Sequence, residues 1–101
     1  MAILTVIATL RAKPGKEAEL KDHLTTLVGY TRTEAGCISY DLNQQQDDPT
    51  TFVMVEYWTG RSALDQHFQM PYMQEFAAAA PALLADAVDM RLLDMLSTPN
   101  R

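Results

Sequence analysis

Two stretches of this chain are apolar on both of their alternating faces, and they constrain the fold more than any other feature. Residues 2–12 and residues 51–58 are short, rich in β-branched side chains and bounded by turn residues, which is typical of buried β-strands. Helices of a two-layer domain cover only one face of a sheet. The other face must meet something else, and the simplest candidate is the same face of a second copy. The sequence therefore predicts a homodimer and leaves open whether dimers pair further.

The order of the remaining elements indicates the fold class. Strand, helix, two strands, helix and strand is the order of a ferredoxin-like βαββαβ fold, an α+β class with a four-stranded antiparallel sheet. We expect a single domain over residues 1–101 with a loose tail at about residues 97–101. The other predicted elements are a helix over 16–33, a strand over 37–43, helical pieces on either side of Pro71 that end near residue 80, and a strand over 87–96. Helical spacing in the first of these predicts one buried stripe, formed by Leu20, Leu24, Leu27, Val28 and Thr31.

Composition argues against several classes of partner. The net charge is −5 and no Lys/Arg cluster is present, so neither nucleic acid nor an anionic membrane is an expected partner. The single Cys37 cannot form an internal disulfide, which fits a reducing compartment. The N-terminal apolar stretch lacks a basic leader and a cleavage site, so a cytoplasmic location is expected.

The run from Met54 to His67 holds the main candidates for chemistry. Glu56 and Trp58 are two residues apart on a strand and point to one face, which Phe52 and Met54 share. A carboxylate in an apolar row must be paired, hydrogen-bonded or protonated. The sequence leaves two interpretations of Glu56 open. It is either a polar group of a pocket or the buried partner of an arginine, for which the candidates are Arg11, Arg32 and Arg91.

The other candidate side chains also allow two interpretations each. His67, on the helix after this strand, is either a general base or oxyanion partner or a satisfied helix histidine. Trp58 is either a platform for an aromatic ligand or a core residue. Tyr40 and Tyr72 either place hydroxyl groups in a pocket or simply pack. On strand two, Ile38, Tyr40 and Leu42 are expected to share one face, and no metal-ligand spacing or phosphate-binding loop is present.

Several short motifs resemble the antibiotic-biosynthesis monooxygenase (ABM) domain family, most closely its small quinol monooxygenases. The similarity runs from about residue 3 to residue 96. It is carried by Leu4-Thr-Val-Ile-Ala, Lys13-Pro-Gly15, Glu34-Ala-Gly-Cys-Ile-Ser-Tyr40, Val55-Glu-Tyr-Trp58, Ala63-Leu64 and His67-Phe-Gln-Met-Pro-Tyr-Met73.

The resemblance implies a dimeric α+β barrel that oxidises a small quinol- or anthrone-like aromatic with O2, without metal, flavin or haem. It assigns His67 the role of base or oxyanion partner and Glu56 a catalytic, orienting role. Tyr72 stands where many relatives have a histidine, so it replaces that residue or the activity differs. The implied substrate-binding residues are Trp58, Tyr40, Phe52, Met54, Tyr72 and Phe68.

Other functions stay open at this point. Some relatives act on small carbonyl metabolites, as isomerases or degrading enzymes, and a phosphorylated substrate of that kind would need several convergent cations. A non-catalytic, dimeric, small-molecule-binding stress protein is the third hypothesis. Haem degradation is not expected, because the haem-degrading branch of the fold uses an Asn on strand one and this strand has none.

Overall fold

The computed structural model describes residues 3–98, which form a four-stranded antiparallel sheet and three helices. The predicted ferredoxin-like βαββαβ class is confirmed, with the second helical region divided in two. The predicted tail falls only partly within this range, since its last three residues lie outside the described residues. The elements are β1 (Leu4–Arg11), α1 (Glu17–Thr31), β2 (Cys37–Gln44), β3 (Thr51–Trp58), α2 (Arg61–Gln69), α3 (Pro71–Leu83) and β4 (Asp89–Asp94).

The sheet order β2-β3-β1-β4 places the two most apolar strands in the centre. β1 and β3 are antiparallel neighbours in a register that pairs Val6 with Glu56 and Ile7 with Val55. Because side chains alternate along a strand, this register separates the residues of both strands into two common faces. The covered face, which meets the helices, carries Leu4, Val6, Ala8, Leu10, Phe52, Met54, Glu56 and Trp58. The open face carries Thr5, Ile7, Thr9, Val53, Val55 and Tyr57.

The hydrophobic core lies between the covered face and the helices. α1 contributes Leu20, Leu24 and Leu27 from the stripe that its periodicity predicts, and all three side chains are buried. In contrast, the open-face side chains of β1 and β3 are only half-buried. The asymmetry predicted from the two-faced strands is therefore present in the chain.

One expected face assignment is wrong. Ile38 does not share a face with Tyr40 and Leu42, because β2 is irregular between Cys37 and Ser39. Such a bulge shifts the alternation by one residue. Cys37 consequently pairs with Trp58, and Ile38 is 42% exposed.

The second helical region is interrupted before Pro71, as predicted. Met70 is extended and Pro71 is the first residue of α3, where its missing N–H costs nothing. α3 continues through Pro81 to Leu83, beyond the predicted end near residue 80, and the Lys13 ammonium donates to the Pro81 carbonyl at 2.8 Å. β4 is shorter than predicted. No helix within residues 3–98 has the length and apolar character needed to cross a bilayer.

Candidate functional site

A cavity of about 680 Å³ lies between the covered face and the helices. Its volume is in the range of small-molecule sites, and its wall is largely apolar, as is usual for such sites. The sheet contributes Ala8, Leu10, Tyr40, Met54, Glu56 and Met90. α1 contributes Leu24 and Leu27. The remaining lining comes from α2, α3 and the segment before β4, with His67, Phe68, Met73, Gln74, Phe76, Ala77, Ala80, Pro81 and residues 84–88.

Glu56 and Trp58 lie side by side on the covered face of β3. The Trp58 indole nitrogen donates a hydrogen bond of 2.9 Å to Glu56 Oε1. Both side chains are buried. The expected arginine partners of Glu56 are engaged elsewhere: Arg11 pairs with Asp86, Arg32 with Asp41 and Arg91 with Asp89. The interpretation of Glu56 as the buried partner of an arginine is therefore wrong, because its hydrogen-bond partner is the Trp58 indole.

Glu56 is a carboxyl group held close to its titration point at neutral pH. Burial raises the pKa of Glu56 to about 7, against an opposing effect of the Trp58 hydrogen bond, and the negative charge of Glu34 raises it further. The group can therefore donate or accept a hydrogen bond near pH 7. Tyr40 of β2 is paired with Glu56 across the two strands. Burial raises the pKa of Tyr40, and the charge of Glu56 raises it further, so Tyr40 stays a neutral phenol.

His67 comes from α2 and closes the same part of the cavity. Its side chain is 1% exposed, and its ring lies 4.7 Å from the Trp58 ring and 5.5 Å from the Tyr40 ring, measured between centroids. Its Nδ1 atom lies 2.8 Å from Glu34 Oε2. No described residue forms a hydrogen bond with the other ring nitrogen, Nε2. The structure thus brings His67, Glu56 and Tyr40 together, as the sequence suggested.

The remaining predicted binding residues are divided between the cavity and its surroundings. Met54 and Phe68 line the cavity. Phe52 and Trp58 are buried beside it without lining it. Tyr72 lies outside, in a shallower pocket of about 340 Å³ where its ring stacks on Tyr30 at 5.2 Å. Direct contact of these three residues with a substrate therefore has no support from the cavity geometry.

Sequence reasoning did not single out Glu34 as a site residue. Glu34 lies in the connection between α1 and β2, where its carboxylate lies 2.8 Å from His67 Nδ1 and accepts a hydrogen bond from the Tyr72 hydroxyl. One signal was available: an acidic residue just after a helix C-terminus is electrostatically unfavourable unless it has another partner. The lining contributed by the segment before β4 was also missed, as was that of Phe76, Ala77 and Ala80 on α3. Among the described residues, no three His, Cys, Asp or Glu side chains come together in a way that could hold a metal ion.

Comparison with known proteins bears on this arrangement of sheet, helices and cavity. The uncharacterized protein sll1783 of Synechocystis sp. is 34% identical over 95 residues, which cover 94% of this chain but only 65% of that relative's length. The Escherichia coli protein named "Probable quinol monooxygenase YgiN" is 28% identical over 100 residues, covering 89% of this chain and 93% of the relative.

A solved structure and a family model extend the comparison. The crystal structure of PA3566 from Pseudomonas aeruginosa matches with a TM-score of 0.92 at 37% identity, covering 96% of this chain and 97% of the other. The model of the family described as "Antibiotic biosynthesis monooxygenase" matches residues 3–79, which carry β1 to β3, α2 and much of α3. The resemblance seen in the short motifs is thereby confirmed, and the chain belongs to the antibiotic biosynthesis monooxygenase family.

Proposed function

We propose that this protein is a cofactor-independent monooxygenase that oxidises a small quinol- or anthrone-like aromatic with O2. The observation that carries the proposal is His67, a buried imidazole on the wall of a largely apolar cavity of about 680 Å³. An imidazole is the side chain best suited to proton removal near neutral pH. The family membership and the name of the YgiN relative also support this reaction class.

The proposed reaction uses the substrate itself as the reductant. His67 takes a proton from the aromatic substrate, and the resulting anion passes one electron to O2. The radical pair then recombines with formation of a C–O bond, and the returned proton completes a hydroperoxide. The C–H bond at the oxygenated carbon and the O–O bond then break, and water is eliminated to leave a carbonyl. One oxygen atom therefore enters the product and the other leaves as water. The substrate supplies all four electrons, and the largely apolar wall of the cavity shields the intermediates.

The other polar groups of the cavity have supporting roles in this proposal. Glu56, with its pKa raised to about 7 by burial, can donate a hydrogen bond to the developing oxyanion. Trp58 fixes the direction of that carboxyl group through its indole hydrogen bond. Tyr40 adds a neutral phenol at the wall, and Met54 and Phe68 provide apolar contact with the ring.

Oxygen consumption by metal-free protein tests the proposal. With naphthoquinols and anthrones as substrates, we expect uptake above the autoxidation rate measured without protein, and one atom of labelled dioxygen in each product molecule. His67→Ala should lower turnover by roughly 10²–10⁴-fold, as is typical for a lost general base. His23→Ala is the matched control, because His23 lies outside the cavity and should leave turnover nearly unchanged.

Two results would contradict the proposal. One is a rate no higher than autoxidation, and the other is equal turnover by wild type and His67→Ala. Stabilisation by the aromatic without turnover would favour a binding protein. A phosphorylated carbonyl substrate has little support, since each arginine considered for it pairs with a carboxylate: Arg11 with Asp86, Arg32 with Asp41, Arg61 with Asp65 and Arg91 with Asp89.

We also propose that two copies associate through the open face. Ile7, Val55 and Tyr57 are half-buried on that face, and Leu93 of β4 is 48% exposed. Apolar surface of this kind is typical of an interface. Light scattering at micromolar concentration should give twice the chain mass for wild type and the single mass for Val55→Lys. A monomeric wild type would refute the dimer.

The proposed location is the cytoplasm. Cys37 is the only cysteine, and burial raises the pKa of its thiol to about 11. Little of the reactive thiolate therefore forms near neutral pH. A single unreactive thiol is compatible with a reducing compartment. Fractionation of the native host with antibody detection would test this.

A further inference from the structure

One carboxylate oxygen links three separate parts of the chain beside the cavity. Glu34 Oε2 lies 2.8 Å from His67 Nδ1 of α2 and 2.5 Å from the Tyr72 hydroxyl of α3. Its partners are 33 and 38 residues away in sequence. The Glu34 side chain is 8% exposed, so water does not compete strongly for these contacts.

The chemistry of the acceptor decides which nitrogen of His67 carries hydrogen. An ionised carboxylate can only accept hydrogen bonds, so the contact requires a hydrogen on Nδ1. In a neutral imidazole the other nitrogen, Nε2, then has its lone pair free. Because the ring lines the cavity and no described residue binds Nε2, that lone pair is available to a molecule in the cavity. The contact with Glu34 thus selects the tautomer that can act as a base.

Tyr72 holds the carboxylate from the other side. Burial and the hydrogen bond to Glu34 both raise the pKa of Tyr72, so its hydroxyl remains a donor through the neutral range. Its ring stacks on Tyr30 at an interplanar angle of 15°, which fixes the position of the hydroxyl. Tyr72 therefore supports Glu34 from outside the cavity.

We propose that Glu34 is the positioning residue of the site: it holds His67 as the Nδ1–H tautomer, and Tyr72 in turn orients Glu34. The inference rests on the proposed function for the role of His67 as a base. The tautomer itself can be measured without substrate, so the two proposals can fail separately. An acidic orienter behind a histidine base is a general device for keeping the correct nitrogen free.

The decisive experiment is nitrogen–proton correlation NMR of the imidazole rings in labelled protein, at a pH where the rings are neutral. Wild-type His67 should show the hydrogen on Nδ1. Glu34→Ala should move His67 towards the Nε2–H form, while His23 in the same spectrum stays unchanged as an internal control. An Nε2–H tautomer in wild type, or an unchanged tautomer in Glu34→Ala, would overturn the inference.

Two further variants guard against a folding defect. Glu34→Gln keeps the volume of the side chain but removes the charge, and it should give a mixed tautomer signal in a folded protein. Tyr72→Phe removes only the second donor and should give a smaller shift in the same direction. If folded Glu34→Ala and both of these variants retain the wild-type tautomer, Glu34 has no positioning role.

Kinetics provide a second measurement where turnover is found. Glu34→Ala should lower kcat by about 100-fold or more and leave KM within a few-fold, because the base is misoriented while the apolar cavity is intact. A rise in KM alone would contradict the positioning role. The expected tautomer in a wild-type protein without turnover would refute the proposed function and leave the role of Glu34 in place.

Discussion

The covered and open faces of the sheet are built from alternating residues of the same two strands, yet they differ in how deeply their side chains are buried. On the covered face Val6 and Trp58 are fully buried, and Glu56 is held by an indole hydrogen bond. On the open face Ile7 and Val55 are half-buried. Because the backbone of both faces is shared, the difference comes from the helices that pack on one side only. A site can form where a second layer excludes water, and the other face offers surface for association.

The largest expected effect concerns the buried carboxyl group of the covered face. The pKa of Glu56 is about 7 in the folded chain against 4.5 for the ordinary group. Between these values the folded chain binds a proton that the unfolded chain has released. The stabilising contribution is therefore complete below about pH 4.5 and is lost as pH rises through about 7, by on the order of 3 kcal/mol.

Denaturant unfolding at about pH 5 and about pH 8 measures this effect. Wild type should lose more stability over that interval than Glu56→Gln, whose amide keeps the acceptor for Trp58 but does not titrate. Parallel losses in the two proteins would show that the covered face does not desolvate Glu56.

The second prediction tests how closely α2 approaches the turn that precedes β2. A Cβ atom added at Gly36 would lie 2.3 Å from the Ala63 Cβ, at the start of α2. Gly36→Ala should therefore destabilise the fold by about 2 to 3 kcal/mol through overpacking. Ala63→Gly alone should cost about 1 kcal/mol as a helix glycine.

A double-mutant cycle completes this test. Gly36→Ala combined with Ala63→Gly should be more stable than the sum of the single effects implies, because the second change removes the atom in the way. Strict additivity in chemical unfolding would mean that the contact does not limit the approach of α2.

The third prediction compares one substitution on the two faces directly. Val6→Ala on the covered face should cost about 2 kcal/mol, from lost transfer energy and a residual void. Val55→Ala should cost below about 1 kcal/mol in dilute protein, because its side chain is only half-buried in the single chain. Urea unfolding at several protein concentrations distinguishes them, since only the loss at Val55 should grow as copies associate. Equal losses of stability in dilute protein would contradict the conclusion that the covered face is more deeply buried than the open face.

The smallest expected effect lies at the rim of the cavity. Arg11 pairs with Asp86, and both side chains are more than half exposed. Asp86→Asn should reduce stability by less than about 1 kcal/mol, and the loss should shrink further in high salt. Thermal unfolding at low and high ionic strength provides the measurement. A larger loss of stability that does not depend on salt would mean that the Arg11–Asp86 pair is shielded from solvent, like the residues of the covered face.

Local patterns in the sequence were sufficient for most of the fold and for part of the site. Period-two alternation placed Glu56 and Trp58 on one face, and the apolar stripe of α1 marked its buried side. They failed at Ile38, since a bulge depends on strand pairing that short-range alternation does not specify. They also failed for the partner of Glu56, because several arginines were chemically acceptable and only packing chose the indole.

By itself, the sequence determined the βαββαβ order, the two-faced central strands and the position of His67 after the strand that carries Glu56. Backbone geometry determines these features from residues close in the chain. Only the tertiary structure decided that Glu34 meets His67 and that Tyr72 stands outside the cavity. Such contacts depend on how one connection and two helices pack against one another, and one-dimensional periodicity carries no information about that packing.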